Sequence, residues 1–330
     1  MAILATQRVL THNYWKLAED IVPGDYLFDR MGKPVKVTLV QKYKAQSCYE
    51  VLFNDYLTIS GDQLLCLPLE DRRYRYRSDS YKGRYQFKRP LKEKTIEELL
   101  AAPLVDYRNR KKYSVPTSYP LQLPHQTLPV PPFVFGFWFF GRQHDKTMAP
   151  SKGSGEFVHQ KFKDCGYKVT QHRLKPNRER TFSTKPTVLS HLIPDVPTKI
   201  PENYLLADKE QRFELLQGIL CSTVARYHEK TKKIRVYQRN KTLIYQIQYL
   251  ADSIGCQTTL IQNDKNKCYT LYIKTKQRLL PTRQQTSKAK HAARRYVANI
   301  TPIPPQLCVY IETEGENNTI LVGEGFISCR

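Results

Sequence analysis

The longest apolar run in this 330-residue chain, Phe133 to Gly141 (FVFGFWFFG), falls well short of the ~20 residues a membrane helix needs. It reads as a buried helix. The eight cysteines, at 48, 66, 165, 221, 256, 268, 308 and 329, form no CxxC pair, and no histidine stands at metal-ligand spacing from one of them. That pattern excludes a dense disulfide framework, argues against zinc and predicts reduced thiols. No heptad is sustained, and the 14 Gly and 21 Pro are scattered, which excludes collagen, coiled coil and bulk disorder. The opening MAILATQRVL has neither the apolar core of a secretion signal nor the Ser/Arg pattern of a transit peptide, so a cytoplasmic location off the membrane is expected.

What the chain does have is charge. Its 53 Lys+Arg stand against 30 Asp+Glu, a net +23, while 40% of residues are hydrophobic. An apolar interior is therefore wrapped in positive potential, and a polyanion is the expected partner, nucleic acid before membrane. The length corresponds to about two domains.

From Gln7 to Pro68 short β-type runs alternate with turn signals at Gly24-Asp25, Met31 to Pro34 and Asn54-Asp55, which predicts an all-β unit. Residues 70–90 interleave Arg and Lys with Tyr. A Pro-punctuated linker is read from Pro103 to Pro132. Beyond it, helical periodicity marks 133–140, 211–221 and 241–254, the last stopped by Gly255, with strand-like pieces between them. The basic stretch from Lys288 to Arg295 leads into a final β segment. Similar texture at both ends predicts a β domain split in sequence around an α+β insert.

The order of segments resembles an endonuclease-bearing intein. RVLTHNYWKLAEDIVPGDYLFDRMGKPVKV and LTISGDQLLCL are similar to the opening blocks of a Hint (hedgehog/intein) domain. FVFGFWFFGR and ELLQGILCSTV resemble the two helices of a LAGLIDADG homing endonuclease, KIPENYLLADKEQRFELLQGIL its approach to the second motif, and LIYQIQYLADSIG the helix after it. The tail from Arg295 resembles the C-terminal intein blocks. The resemblance implies an α+β chain: a split all-β Hint-type domain (1–125 and 288–330) with a pseudo-two-fold LAGLIDADG-like α+β domain (126–287) inserted, monomeric through that internal symmetry.

Residues that would carry the family's chemistry are missing at each matching position. Splicing begins with a Cys or Ser nucleophile, where Ala2 stands. The activating Thr and His are replaced by Ser60 and Gln63, and Gln cannot titrate. The terminal His-Asn is replaced by Cys329-Arg330. In the nuclease half the acids that hold Mg²⁺ are replaced by Gly141 and Thr223, and hard divalent ions require oxygen ligands, carboxylates above all. Gly136 and Gly218 remain and imply close helix packing. No catalytic residue, metal or cofactor is therefore expected; Mg²⁺ enters only if noncanonical acids such as Asp145, Glu156 or Glu229 sustain an active homing or nicking endonuclease.

The positive charge survives this erosion. The resemblance places Arg173, Lys175, Arg178, Arg180, Arg235, Arg239, Lys274 and Lys276 on or beside a sheet that cradles double-stranded DNA, where cations release counterions from phosphates. Arg72, Arg73, Arg75, Arg77, Lys82 and Arg84 alternate with rings and extend that footprint, or else meet an acidic protein partner. The expected function is DNA binding by a basic protein that has lost both ancestral reactions. By resemblance, such elements travel with phages and other mobile DNA, which also allows a structural role in a virus acting in the host cytoplasm.

Overall fold

The computed structural model describes residues 2–72, 91–141, 148–171, 182–184, 198–222, 224–228, 230–263, 267–281, 294–315 and 318–330. The chain is α+β and divides into two compact units, Met1–Leu121 together with Ala292–Arg330, and Gln122–His291.

The first unit opens with β1 (Ala2–Leu4), β2 (Arg8–Thr11), β3 (Tyr14–Leu17), β4 (Tyr26–Phe28), β5 (Pro34–Ala45), β6 (Cys48–Phe53), β7 (Thr58–Asp62), β8 (Cys66–Asp71), β9 (Lys92–Thr95), the short helix α1 (Ile96–Leu100) and β10 (Tyr113–Pro116). Period-two alternation explains the start of β5, where Val35 and Val37 turn inward and Lys36 outward. The segment read as a linker from Pro103 is a correction. It holds β10, whose Tyr113, Ser114 and Val115 are buried, and its Tyr119 N–H donates to the Arg30 carbonyl at 2.9 Å. Gly32, at φ +75°, makes room there: a Cβ on it would lie 2.2 Å from the Pro120 carbonyl oxygen. Counting prolines missed this because Pro is compatible with edge and turn positions of a sheet.

The second unit contains α2 (Pro132–Gly141), α3 (Gly155–Asp164), β11 (Val169–Gln171), β12 (Phe182–Thr184), α4 (Glu202–Leu205), α5 (Lys209–Cys221), β13 (Ala225–His228), β14 (Lys233–Gln238), α6 (Lys241–Ser253), β15 (Gln257–Asn263) and β16 (Cys268–Lys274). Every residue of α2 is buried, the state of a helix that is apolar all round. It packs against α5, whose start is fixed by a capping box: Asp208 accepts from the Gln211 N–H, and Gln211 reaches back to the Asp208 N–H. The Gln211 side chain also clamps the extended segment before α2, accepting from Gln126 N at 2.9 Å and donating to Gln126 O at 2.7 Å. On α6, Gln246 clamps Ile200 in the same two-point fashion, at 2.7 and 3.0 Å. Gly255 follows α6 at φ +84°. Helix α3 has no counterpart in the sequence reading, because only Val158 and Phe162 of its ten residues are buried and its apolar stripe is thin.

The chain then returns to the first unit with β17 (Arg294–Ile303), β18 (Gln306–Thr313), β19 (Ile320–Val322) and β20 (Ile327–Cys329). These strands are interleaved with the early ones. The 14-stranded sheet runs β20-β19-β2-β4-β5-β18-β1-β7-β6-β17-β10-β8-β9, with β3 paired to β2. Neither end of the sequence closes this sheet alone. Arg294 and Arg295, at the end of the basic stretch that begins at Lys288, are structural. Arg295 Nε lies 2.9 Å from Asp55 Oδ2 with both side chains almost free of solvent, and Arg294 Nε lies 2.6 Å from Glu70 Oε2. No helix among the described residues is long and apolar enough to cross a membrane.

Candidate nucleic-acid interface

Strands β13 to β16 form a four-stranded antiparallel sheet in the order β13-β14-β16-β15. Directly paired residues point to the same face, and alternation assigns the two faces. Ile234, Val236, Leu271, Ile273, Ala225 and Thr258 are buried on the inner one. Successive rows cross the outer one. His228, Lys233, Lys274 and the buried Gln257 form the first, Arg226, Arg235, Tyr272 and Thr259 the second, Tyr237, Thr270 and Ile261 the third, and Cys268 and Asn263 a fourth. Lys233 Nζ and the Arg235 guanidinium carbon sit 5.6 and 5.3 Å from the centre of the Tyr272 ring. Two cations are thus stacked on one aromatic anchor. Arg235 Nε is shielded from solvent and has no acceptor among the described residues.

Of the cations singled out from the sequence, Arg235 and Lys274 stand on this face. Arg239 and Lys276 are exposed just beyond the ends of β14 and β16. Arg226, Lys233 and His228 were missed, although alternation along KKIRVYQ and ARYH was the signal that could have found them. Arg72 lies in the other unit, half-buried, its N–H donating to the Lys112 carbonyl at 2.9 Å. Arg73, Arg75, Arg77, Lys82, Arg84, Arg173, Lys175, Arg178 and Arg180 lie outside the described residues. Not every cation of the unit is presented outward: Arg212 is wholly buried, donating from Nε to the Ala207 carbonyl and from Nη1 to that of Ser253, each at 2.8 Å.

Charge is distributed unevenly between the two units. Residues Gln122 to His291 contain 29 Lys+Arg and 12 Asp+Glu, which accounts for most of the net +23. In the β unit, Arg110, Arg294, Arg295 and Arg330 are each held by a carboxylate. Most of the excess positive charge belongs to the unit that contains the sheet.

Helices α2 and α5 cross at their glycines. A Cβ on Gly136 would lie 2.4 Å from the Leu215 carbonyl oxygen, and one on Gly218 would lie 2.2 Å from that of Phe133. At the C-terminal ends of these helices the donor set is hydroxyl and carbonyl. A Cβ on Gly141 would rest 3.5 Å from the Ser222 Cβ. Ser222 Oγ donates to Ile219 O at 2.6 Å, and Ser154 Oγ donates to Ser151 O at 2.7 Å. Thr223, Asp145 and Glu229 lie outside the described residues, and Glu156 is exposed in the first turn of α3. Among the described residues, no group of three or more His, Cys, Asp or Glu is placed to hold a metal ion. Gly141 offers no side-chain oxygen, and the Ser222 and Ser154 hydroxyls are engaged with backbone carbonyls.

In the β unit, Ile3 pairs with Gly61, which carries Ala2 alongside β7; a Cβ on Gly61 would lie 2.4 Å from the Ala2 carbonyl oxygen. Ser60 N–H donates to Gln7 Oε1 at 3.0 Å, and the Gln63 carbonyl accepts from Glu97 N–H at 3.2 Å. Arg330 pairs through its backbone with Cys66, and its Nη1 lies 2.5 Å from Glu93 Oε2. Cys329 is fully buried, and burial pushes its thiol far up. All eight cysteines are free thiols.

Comparison with solved structures finds two groups of proteins. The likenesses are to inteins and to a homing endonuclease. The MchDnaB-1 intein is 28% identical over 21% of this chain and 53% of its own, with a TM-score of 0.20; the gp41-1 intein is 18% identical over 34% and 74%, at 0.23. The endonuclease I-DmoI, in a crystal structure with DNA and Mn, is 12% identical over 44% of this chain and 89% of its own, at 0.30. The chain spans about half the length of the first of these inteins. No protein-family model and no curated protein matches it. At these scores any functional reading stands on this chain's own residues.

Proposed function

We propose that this protein binds double-stranded DNA without cutting it, holding the duplex against the outer face of β13–β16, on a scaffold derived from an endonuclease-bearing intein. One observation carries the reading: Arg226, Lys233, Arg235 and Lys274 occupy adjacent positions on one face of one sheet, with Tyr272 beneath two of them. Cations so arranged meet phosphates and release counterions, which gives strong, salt-dependent affinity with limited sequence information.

Loss of both ancestral reactions is part of the proposal. Its support is the residue types at the matching positions, Ala2, Ser60, Gln63, Gly141, Thr223, Cys329 and Arg330. The Arg/Tyr segment of residues 70–90 would itself contact nucleic acid or engage an acidic protein. Two measurements test the reading. Duplex affinity should fall steeply and linearly on a log-log plot against salt, and a flat plot would argue for a protein partner. Supercoiled plasmid incubated with Mg²⁺ or Mn²⁺ should stay intact; cleavage abolished by chelator would show a working nuclease with other acids.

A further inference from the structure

The outer face changes character along its strands. The row His228, Lys233 and Lys274 is basic, the next carries Arg226, Arg235 and Tyr272, and the third carries Tyr237, Thr270 and Ile261, with Cys268, Asn263 and the exposed Arg239 beyond it. Tyr237 is 40% exposed and Ile261 42%, and among the described residues of this unit they are the two large apolar side chains that face solvent so openly. A single exposed apolar residue is ordinary. These two flank Thr270 on neighbouring strands, so they stand about 10 Å apart at strand spacing. Rows two residues apart along a strand are separated by about 7 Å, roughly two base-pair steps.

We infer that the Tyr237–Thr270–Ile261 row reads base edges in the major groove and selects thymine through its C5-methyl group, while the two basic rows hold phosphate. The inference rests on the reading of this face as a duplex surface. The chemistry of the row is what commits it. Ile261 and the Thr270 methyl offer apolar contact and no strong donor, and the thymine methyl is the apolar feature of a base edge in that groove. The adjoining cations match a polyanion and disfavour a plain apolar protein surface as occupant. Tyr237 contributes a rigid ring beside them.

The test uses the whole chain. Duplexes enriched from a random pool made with thymidine are resynthesised with deoxyuridine at one thymine at a time, which deletes one methyl and leaves the pairing intact. At one or two positions the exchange should weaken binding about fourfold, the value of one buried methylene-sized group. Ile261→Ala should bind the thymidine and deoxyuridine duplexes alike, Ile261→Val should retain the preference, and Tyr237→Ala should reduce it. If salt-dependent binding persists with no response to deoxyuridine at any position, the inference falls and the DNA reading stands. A methyl response untouched by Ile261→Ala and Tyr237→Ala overturns the assignment to this row. Failure to retain any duplex at low salt sinks the DNA reading itself. Near-ultraviolet circular dichroism identical to wild type excludes misfolding of either variant as the cause.

Discussion

Gly136 on α2 and Gly218 on α5 stand in reciprocal contact: the space a Cβ would need at each is taken by a backbone carbonyl oxygen of the other helix, at 2.4 and 2.2 Å. Backbone cannot yield as a flexible side chain does. Gly136→Ala and Gly218→Ala should each destabilise the protein by about 3 kcal/mol, the upper part of the overpacking range, although alanine raises intrinsic helix propensity. Urea unfolding of the two variants checks this. A stabilised variant would show that the helices can move apart without loss.

Removing single cations from the sheet should act on affinity and not on fold. Lys233→Gln and Arg235→Gln should each weaken binding to unrelated duplexes by similar factors and reduce the salt slope by about 1. Arg108→Gln, an exposed position of the β unit, should leave the slope unchanged. Equal effects from all three substitutions would mean that charge acts diffusely and that the sheet is not the contact surface.

Arg295 makes the opposite prediction. Its partner Asp55 is as solvent-free as Arg295 itself, so Arg295→Met should destabilise the β unit by about 3–5 kcal/mol through the stranded carboxylate. Replacing both at once, with Arg295→Met and Asp55→Leu, should recover much of that loss, because an apolar pair leaves no unpaired charge behind. Denaturation of the single and double variants reads the difference. Its DNA salt slope should match wild type.

Acid should weaken the β unit at an identifiable site. The hydrogen bond from Arg110 holds the Asp106 carboxyl at about 2, below its usual 3.8. A depressed folded-state pKa means that the contribution is present above pH ~4 and is lost as the pH falls from about 4 towards 2. Asp106→Asn should therefore be less stable than wild type at neutral pH and converge with it at the acid end of that window. Unfolding midpoints across that pH range provide the measurement.

Much of this was legible in the residues. Helices α2, α5 and α6 follow from apolar periodicity with their caps and stops, because amphipathic or fully apolar patterns impose a helical period whatever the surroundings. Gly136 and Gly218 stood out because glycine inside a helix needs a packing reason. Arg235 and Lys274 were singled out through the family resemblance, whereas Lys233 and Arg226, which strand alternation sets on the same face, were passed over.

The sequence by itself determined the charge, the helices α2, α5 and α6 and the residue types missing from each chemical position, since these are properties of neighbours in the chain. Only the tertiary structure decided which cations are available. Arg294 and Arg295 are adjacent in sequence to a basic run, yet each is consumed by a carboxylate more than two hundred residues away. Lys233, Arg235 and Tyr272 come together because β14 and β16 pair in one register, and pairing register is set by which side chains must be buried on the far face.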